Sequence, residues 1–175
     1  MIAVLRIAVA DDERNICDIL SEQISRSAKV LGIETELHTF TAGKHLIDRL
    51  RDEKSFHIAF PDIEMAHGSG QEVSAFLRDV LADHAVQIVF ITGKTGYERK
   101  LFVFQPFYFI AKPFDEQIVF TVLLKCLRIY GRSAEIFRYQ QGHQRGWIPL
   151  LNILYLESAN SNVTEKAQCN NPCIG

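Results

Sequence analysis

The chain lacks the features of a membrane or secreted protein. Although 47% of its 175 residues are hydrophobic, they never form an apolar run long enough to cross a bilayer, which takes about 20 residues. The first residues, 1–5, have no basic leader and no cleavage site, so no signal peptide is expected. We therefore expect a cytoplasmic protein without a membrane-spanning segment.

Charge of one sign and clustered metal ligands are also scarce. A formal net charge of -2 argues against a strongly basic nucleic-acid footprint and against an acidic disordered chain. Of the four cysteines, Cys17 and Cys126 fall on predicted helix faces, where small core residues in a reducing compartment are expected. Cys169 and Cys173 lie in a polar tail without a nearby histidine, so that pair predicts no metal site.

What is present is an alternation of strand-like apolar segments with segments of helical periodicity. This alternation predicts an α/β domain with a five-stranded parallel sheet, doubly wound with helices on both faces. A boundary at 131–133 would divide the chain into one domain at 1–130 and a short, incomplete β tail at 131–175. The predicted strands are 4–10, 35–40, a segment from Ile58 that ends at Asp62, 86–91 and 107–111, and the predicted helices are 13–31, a segment from Thr41 through Leu50, 73–80, 97–104 and 115–130.

The segment around Asp62 is the first candidate for function. The apolar run Ile58-Ala59-Phe60 leads into this carboxylate, and a glycine-rich turn follows. In an open parallel sheet, ligands bind beyond the carboxyl ends of the strands, where the side chain of Asp62 would stand. Taken alone, the segment is explained as well by an aspartate that only caps a loop or the next helix.

Polar side chains at three other strand ends favour a functional site. Asp11 and Asp12 follow the first strand, Thr92 ends the fourth and Lys112 follows the fifth. Three carboxylates in one cleft would repel each other without a cation, and hard oxygen ligands suit Mg²⁺. Asp62 could then act as a nucleophile toward a phosphoryl group, with Lys112 and Thr92 contacting the phosphoryl oxygens. Each residue has a structural explanation of its own, but four such coincidences are less probable than any one.

These motifs resemble those of the receiver domain of two-component response regulators, over residues 4 to about 130. The resemblance implies a flavodoxin-like (βα)5 fold and a phosphoacceptor rather than an enzyme, with at most self-phosphorylation and self-dephosphorylation. It also implies a sensor histidine kinase as the partner that supplies the phosphoryl group. The motifs that carry it are Asp11-Asp12-Glu13, Asp62-Ile63-Glu64-Met65, Thr92 and Lys112-Pro113-Phe114.

The resemblance also assigns a role to each matching residue. Asp62 takes the place of the phosphoacceptor and, with Asp12 and the backbone carbonyl of Glu64, of the direct Mg²⁺ ligands. Asp11 takes the place of the residue that holds a metal-bound water. Thr92, Lys112 and Phe109 match the switch hydroxyl, the phosphate-binding lysine and the switch aromatic residue, and the family implies a cis bond between Lys112 and Pro113.

Several details resemble the subfamily of receivers that are joined to LytTR-type DNA-binding domains. These are the spacing of Phe60 to Met65, the aromatic segment 97–109, and a tail whose residues 147–158 resemble the opening strands of a LytTR domain. Promoter DNA would be the partner of a full-length relative. After Val163 we see no strand pattern, so we predict that residues 131–175 are a partial, truncated DNA-binding domain. Three Arg and one Lys against three Glu in this tail leave no strong basic patch.

Three departures from the family pattern carry expectations of their own. Pro61 stands where a central strand needs an N–H donor, so it could shift the backbone of Asp62. Ala66-His67 replaces the usual Pro-Gly, which predicts a looser loop. The region from the fourth helix to the fifth strand, by resemblance the signalling and homodimer surface, is rich in aromatics. For three of these we favour core packing, because large aromatics are mostly buried: Phe102, Phe104 and Phe107.

Three functions remain open from the sequence. The first is a phosphorylation-dependent regulator of transcription. The second is a receiver-only product that acts through protein contacts. The third is a phosphatase of the haloacid-dehalogenase type, which also uses an aspartate nucleophile with Mg²⁺ and an acidic residue two positions later, as Glu64 provides. Its second acidic pair should come late in the chain, however, whereas Asp11 and Asp12 come first.

Overall fold

A computed structural model describes residues 4–52, 56–93, 96 and 98–130, and the backbone of four further strands between residues 136 and 167. Five parallel strands form one sheet in the order β2-β1-β3-β4-β5, as the predicted doubly wound fold requires. The order reverses between β1 and β3, and that reversal opens a crevice at their carboxyl ends. The strands are β1 (Val4–Ala10), β2 (Glu34–Phe40), β3 (Ile58–Pro61), β4 (Gln87–Thr92) and β5 (Tyr108–Ala111).

Helices cover both faces of the sheet, because the side chains of the central strands point alternately to the two sides. In β1, Leu5, Ile7 and Val9 join one buried cluster and Ala8 and Ala10 join the other. Helices α1 and α5 pack on the first cluster, and the other helices pack on the second. The helices are α1 (Arg14–Val30), α2 (Gly43–Asp52), α3 (Gly70–Ala75), α4 (Glu98–Leu101) and α5 (Glu116–Ile129).

The third helix is less regular than the predicted helix at 73–80. The α-helical part ends at Ala75, and a π-helical turn continues over Phe76–Val80. This wider turn buries the neighbours Leu77 and Arg78 together. The guanidinium of Arg78 donates to the carbonyls of Phe104 (2.9 Å), Val86 (2.9 Å) and Asp83, so its buried donors are satisfied by two segments, the loop before β4 and the turn before β5.

The prediction that Phe102 is a core residue is wrong. Helix α4 has only four residues and is followed by a 3-10 turn, Phe102–Phe104. Leu101 takes the inward position of this short segment and is fully buried, which leaves Phe102 62% exposed. Phe104 and Phe107 are partly buried against the core.

The end of α5 is fixed near the amino ends of the strands, whereas Asp62 lies at their carboxyl ends. The hydroxyl of Tyr130 lies 2.5 Å from the carbonyl oxygen of His57 and 2.9 Å from that of Ala85. These two residues precede β3 and β4. Burial raises the pKa of Tyr130 to about 12, so the hydroxyl keeps its proton and can donate it.

The tail contains more strand than predicted. Two antiparallel hairpins, β6 with β7 and β8 with β9, follow the receiver-like domain. The prediction that strand structure ends near Val163 is wrong, because β9 continues to Ala167. Its backbone pairs with β8, and a ladder of this kind needs no apolar pattern in the added strand. The four strands are β6 (Ile136–Gln141), β7 (Gln144–Pro149), β8 (Ile153–Ala159) and β9 (Asn162–Ala167).

Some predictions fall outside the described residues. They concern the start of the chain before Val4, Tyr97 in the fourth helix, the boundary at 131–133, and Cys169 and Cys173. In the part of the chain that the structure describes, no helix has the length and apolar character needed to span a membrane.

Candidate functional site

Three carboxylates meet in the crevice at the ends of β1 and β3. The register pairs Ala10 with Pro61, so the residues that follow each strand come side by side. The N–H of Asp62 donates to the carbonyl of Ala10 at 2.7 Å, which fixes the position of Asp62. As predicted, carboxylate oxygens of Asp11, Asp12 and Asp62 lie within 4.8 Å of one another. Asp11 and Asp62 are buried, whereas Asp12 is exposed.

Pro61 interrupts the hydrogen bonding of β3 without moving Asp62. The β3–β4 ladder pairs Ile58 with Gln87 and Ala59 with Ile88, and then breaks. It resumes as a bridge between Asp62 and Ile91 in the same register. The gap coincides with the residue that has no N–H to donate. The expected shift of the Asp62 backbone is therefore absent.

Lys112 is the cation that joins the two buried carboxylates. Its N–H donates to the carbonyl of Thr92 at 2.7 Å, which places it at the end of β5, and its bond to Pro113 is cis as expected. The ammonium Nζ lies 2.6 Å from Oδ2 of Asp11 and 2.9 Å from Oδ2 of Asp62. Burial acts to lower the pKa of Lys112, but the hydrogen bonds to both aspartates outweigh burial, so the pKa is raised.

The charge at Asp62 remains incompletely compensated. Burial raises the pKa of Asp62, Lys112 opposes this change, and the neighbouring charge of Asp11 adds to it. The cluster holds three carboxylates, and the one ammonium of Lys112 pairs with two of them, those of Asp11 and Asp62. A site with excess negative charge and hard oxygen ligands fits a small divalent cation such as Mg²⁺. Glu64, the predicted backbone ligand, is close by, since its N–H approaches Oδ1 of Asp62 at 3.4 Å.

The loop between β3 and α3 is attached by two hydrogen bonds that its backbone makes. The N–H of Ala66 donates to Oδ2 of Asp12 at 3.2 Å. The carbonyl of His67 accepts from the N–H of Lys44 at 3.2 Å. Both bonds use backbone groups of the loop, which any residue except proline supplies. The expectation of a looser loop at Ala66-His67 stays a prediction, and these two bonds show where the loop is attached.

Thr92 and Phe109 lie on neighbouring strands beside the acidic cluster. Thr92 is buried at the end of β4 and pairs with Ala111 of β5. The ring of Phe109 stacks on the buried ring of Phe90, with centroids 5.5 Å apart. On its other side it meets the exposed ring of Phe102 edge to face at 6.1 Å. Phe109 thus links the core to the exposed 3-10 turn that follows α4.

Two contacts at the site were missed by sequence reasoning. Cys17 was interpreted only as a core residue, but its thiol also lies 3.4 Å from the carbonyl oxygen of Asp11. Gly43 was passed over entirely, although a Cβ at this position would overlap the carbonyl of Gly68 in the β3–α3 loop. The sequence does show a glycine in the first turn of a predicted helix, which can indicate a close backbone contact. It does not show that Gly68 is the residue contacted.

The chain belongs to the response regulator receiver domain family, because the sequence profile of that family matches residues 7–123. Members of this family are typically phosphoacceptors, work with sensor histidine kinases and bind Mg²⁺ at an acidic pocket. The sensory transduction protein LytT of Bacillus subtilis (strain 168) is 25% identical over 142 residues. That match covers 81% of this chain and 55% of LytT, so the chain spans about half the length of this relative.

Solved receiver structures have the same fold. The response regulatory domain of protein mrkE from Klebsiella pneumoniae superimposes with a TM-score of 0.63 at 21% identity, over 72% of this chain and 98% of that one. The response regulator TrrA from Thermotoga maritima, solved in complex with Mg²⁺ and BeF, gives a TM-score of 0.59 at 25% identity. That match covers 70% of this chain and 98% of TrrA.

Replacement of Asp62 by asparagine should stabilise the protein when no divalent cation is present. A folded-state pKa above the unfolded value means that ionised Asp62 opposes folding, and this penalty is complete above the folded pKa. Asp62→Asn should therefore raise the free energy of unfolding at pH 7 by about 1 kcal/mol. The gain should disappear as the pH falls below the unfolded pKa. Denaturant titrations in EDTA at several pH values would measure it.

Asp48→Asn is the matched control, because Asp48 is surface-exposed and pairs only with Arg51, at 3.1 Å, among the described residues. This substitution should change stability by less than about 0.5 kcal/mol. A loss of stability at pH 7 in Asp62→Asn would contradict the charge balance described above.

Proposed function

We propose that this chain is a phosphorylation-activated response regulator that accepts a phosphoryl group on Asp62 from a sensor histidine kinase to control transcription. The observation that carries the proposal is the cluster of the Asp11, Asp12 and Asp62 carboxylates, two of which, Asp11 and Asp62, pair with the ammonium of Lys112. The excess negative charge is explained by a site that receives a cation and a phosphoryl group.

Asp62 supplies the nucleophilic oxygen in this proposal. A bond forms between this oxygen and phosphorus while the bond from phosphorus to the donor breaks, and its electron pair leaves with the donor. Lys112 already touches Oδ2 of Asp62, so its ammonium stands where the new phosphoryl oxygens arrive. In the proposal, the hydroxyl of Thr92 binds one of these oxygens.

Mg²⁺ would be held by Asp12, Asp62 and the backbone carbonyl of Glu64, with Asp11 holding a metal-bound water. When bound, the ion supplies positive charge that offsets the charge of the carboxylates and of the phosphoryl oxygens. The donor set supports this assignment, because carboxylate and carbonyl oxygens are the ligands that Mg²⁺ prefers. Lys112 alone balances only one of the three negative charges.

Thr92 and Phe109 form the proposed switch. The phosphoryl group adds negative charge and acceptor oxygens next to Thr92, which draws its hydroxyl toward Asp62. Phe109 then turns inward, into the space that Thr92 leaves, in a shift between two packings. Because Phe109 contacts Phe102, this movement would change the surface of α4 and β5. Phe102 and Val103 are 62% and 73% exposed there, and they support a homodimer through this face.

The output is proposed to be transcriptional because the chain resembles receivers joined to LytTR domains, and promoter DNA would be the partner of a full-length relative. A second candidate is a receiver that acts through protein contacts without DNA binding. It is supported by the tail, where the pairing of the described strands is confined to two separate hairpins. Two-stranded hairpins are marginally stable by themselves. Family membership favours both candidates over the phosphatase interpretation.

Incubation with acetyl phosphate and Mg²⁺ should place an acid-labile phosphate on Asp62. Asp62→Asn should remove the label entirely, because an amide cannot form the acyl phosphate, and Asp12→Ala should remove it through loss of Mg²⁺. Asp79→Asn, an exposed carboxylate on the π turn, is the matched control and should be labelled like the wild type. Mass spectrometry of the intact protein would measure the label. Equal labelling in EDTA would refute the proposed chemistry.

Beryllofluoride with Mg²⁺, a phosphoryl mimic, should change the NMR environment of the Phe109 ring. Thr92→Ala should still bind the mimic but should lose this change, because the hydroxyl that couples the two sites is missing. The fully buried Phe60, which packs on the side of α1 and α5, serves as an internal control and should show little change. An unaltered Phe109 spectrum in the wild type with bound mimic would show that the coupling is wrong.

The 175-residue chain should form no sequence-selective complex with LytTR-type direct-repeat promoters. Selective recognition requires side chains held rigidly at base edges, and two separate hairpins do not provide such a support. Gel-shift titrations at about 0.15 M salt, with an unrelated duplex as the control, would measure binding. A selective complex at sub-micromolar protein would instead favour the transcriptional candidate for this chain itself.

A further inference from the structure

The first turn of α2 meets the β3–α3 loop with no side chain between the two backbones. A Cβ on Gly43 would overlap the carbonyl carbon and oxygen of Gly68. Gly68 has a φ of +84°, and a Cβ there would come within 2.6 Å of the backbone nitrogen of Lys44. Both glycines are therefore required. Gly43 allows the close approach of the two backbones, and Gly68 allows the same approach and also adopts a left-handed backbone conformation.

This contact continues directly into the acidic site. Next to Gly68, the carbonyl of His67 accepts from the N–H of Lys44. One residue further, the N–H of Ala66 donates to Oδ2 of Asp12. In the part of the chain that the structure describes, this is the one hydrogen bond that the Asp12 carboxylate accepts. The loop residue that binds Asp12, Ala66, thus lies within two residues of His67 and Gly68, where the loop is attached to the start of α2.

The other end of the same loop is fixed in a similar way. Gly70 begins α3, and a Cβ there would overlap the carbonyl oxygen of Asp62. Its N–H approaches the carbonyl of Ile63 at 3.3 Å. The two ends of the loop, Ile63 and Gly70, are therefore fixed to each other. A displacement of Gly68 would fall mainly on the residues between these ends, which include Ala66.

We propose that Gly43 is a positioning residue for the cation site, which acts through Gly68 and Ala66 on the carboxylate of Asp12. The inference rests on the proposed Mg²⁺ site and adds α2 to the elements that set its affinity. The coupling is reciprocal, so a cation on Asp12 also stabilises the bond between Lys44 and His67. Residues that orient metal ligands commonly change metal affinity by about 10–100-fold when replaced.

The first test is a Mg²⁺ titration of Gly43→Ala, followed by backbone amide NMR of the full chain. Because Gly43 does not contact the ligand Asp12 directly but acts through the loop, we expect a smaller effect than for a residue in direct contact. The Kd for Mg²⁺ should rise about threefold to tenfold. The amide resonance of Ala66 should shift in the metal-free variant. Gly93→Ala is the matched control, because a Cβ at Gly93 meets no atom within 4 Å, and its Kd should stay within twofold of the wild type. An unchanged Kd in Gly43→Ala would overturn the inference.

The second test uses the wild type and does not depend on the folding of a variant. Addition of Mg²⁺ should slow hydrogen exchange at the amides of Ala66 and Lys44 together. The amide of His45 is the control, since it bonds to the carbonyl of Ala42 at 3.1 Å and does not reach the loop. Protection of Ala66 without Lys44 would overturn the inference while leaving the Mg²⁺ site in place. Absence of any Mg²⁺ binding would refute the proposed function, and the inference with it.

Discussion

The ion pairs of Lys112 with Asp11 and Asp62 are the interaction on which the site depends. Two carboxylates buried at the end of a sheet are costly unless a cation lies near them. The ammonium of Lys112, at 2.6 Å from Asp11 and 2.9 Å from Asp62, compensates their charge only in part. The crevice therefore keeps a net negative charge that a bound cation can neutralise. The same three groups come from three separate strands. Their contact therefore requires that β1, β3 and β5 all end at the same edge.

The rest of the domain supplies that alignment. The two apolar clusters on either side of the sheet hold the strands, and the register between β1 and β3 brings Asp11 and Asp62 together. Pro61 shows how firmly the register is set. One donor is missing from the ladder between β3 and β4, yet the pairing continues unchanged beyond it. Side-chain packing on both faces is sufficient to preserve the register across the gap.

The sequence predicted the parts of the site that follow from topology. Asp11, Asp12, Asp62, Thr92 and Lys112 each end or follow a strand, and parallel strands bring such residues to one edge. What it did not predict depends on contacts between backbones that are distant in sequence. The attachment of the loop at His67, the close approach of Gly43 and the extra length of β9 carry no side-chain pattern. The exposure of Phe102 depended on how short α4 is, and helix ends are poorly marked in sequence.

The anchoring of Tyr130 has a consequence for how far a signal must travel. Its hydroxyl contacts the carbonyl of His57 at the start of β3, whereas Asp62 lies at the end of that strand. Five residues of extended chain separate the two, a distance of about 16 Å. Residue 130 therefore lies about one strand length away from the carboxylate of Asp62. The proposed phosphoryl group on Asp62 would not contact residue 130 directly, so its effect would have to be relayed along the sheet or through the helices that cover it.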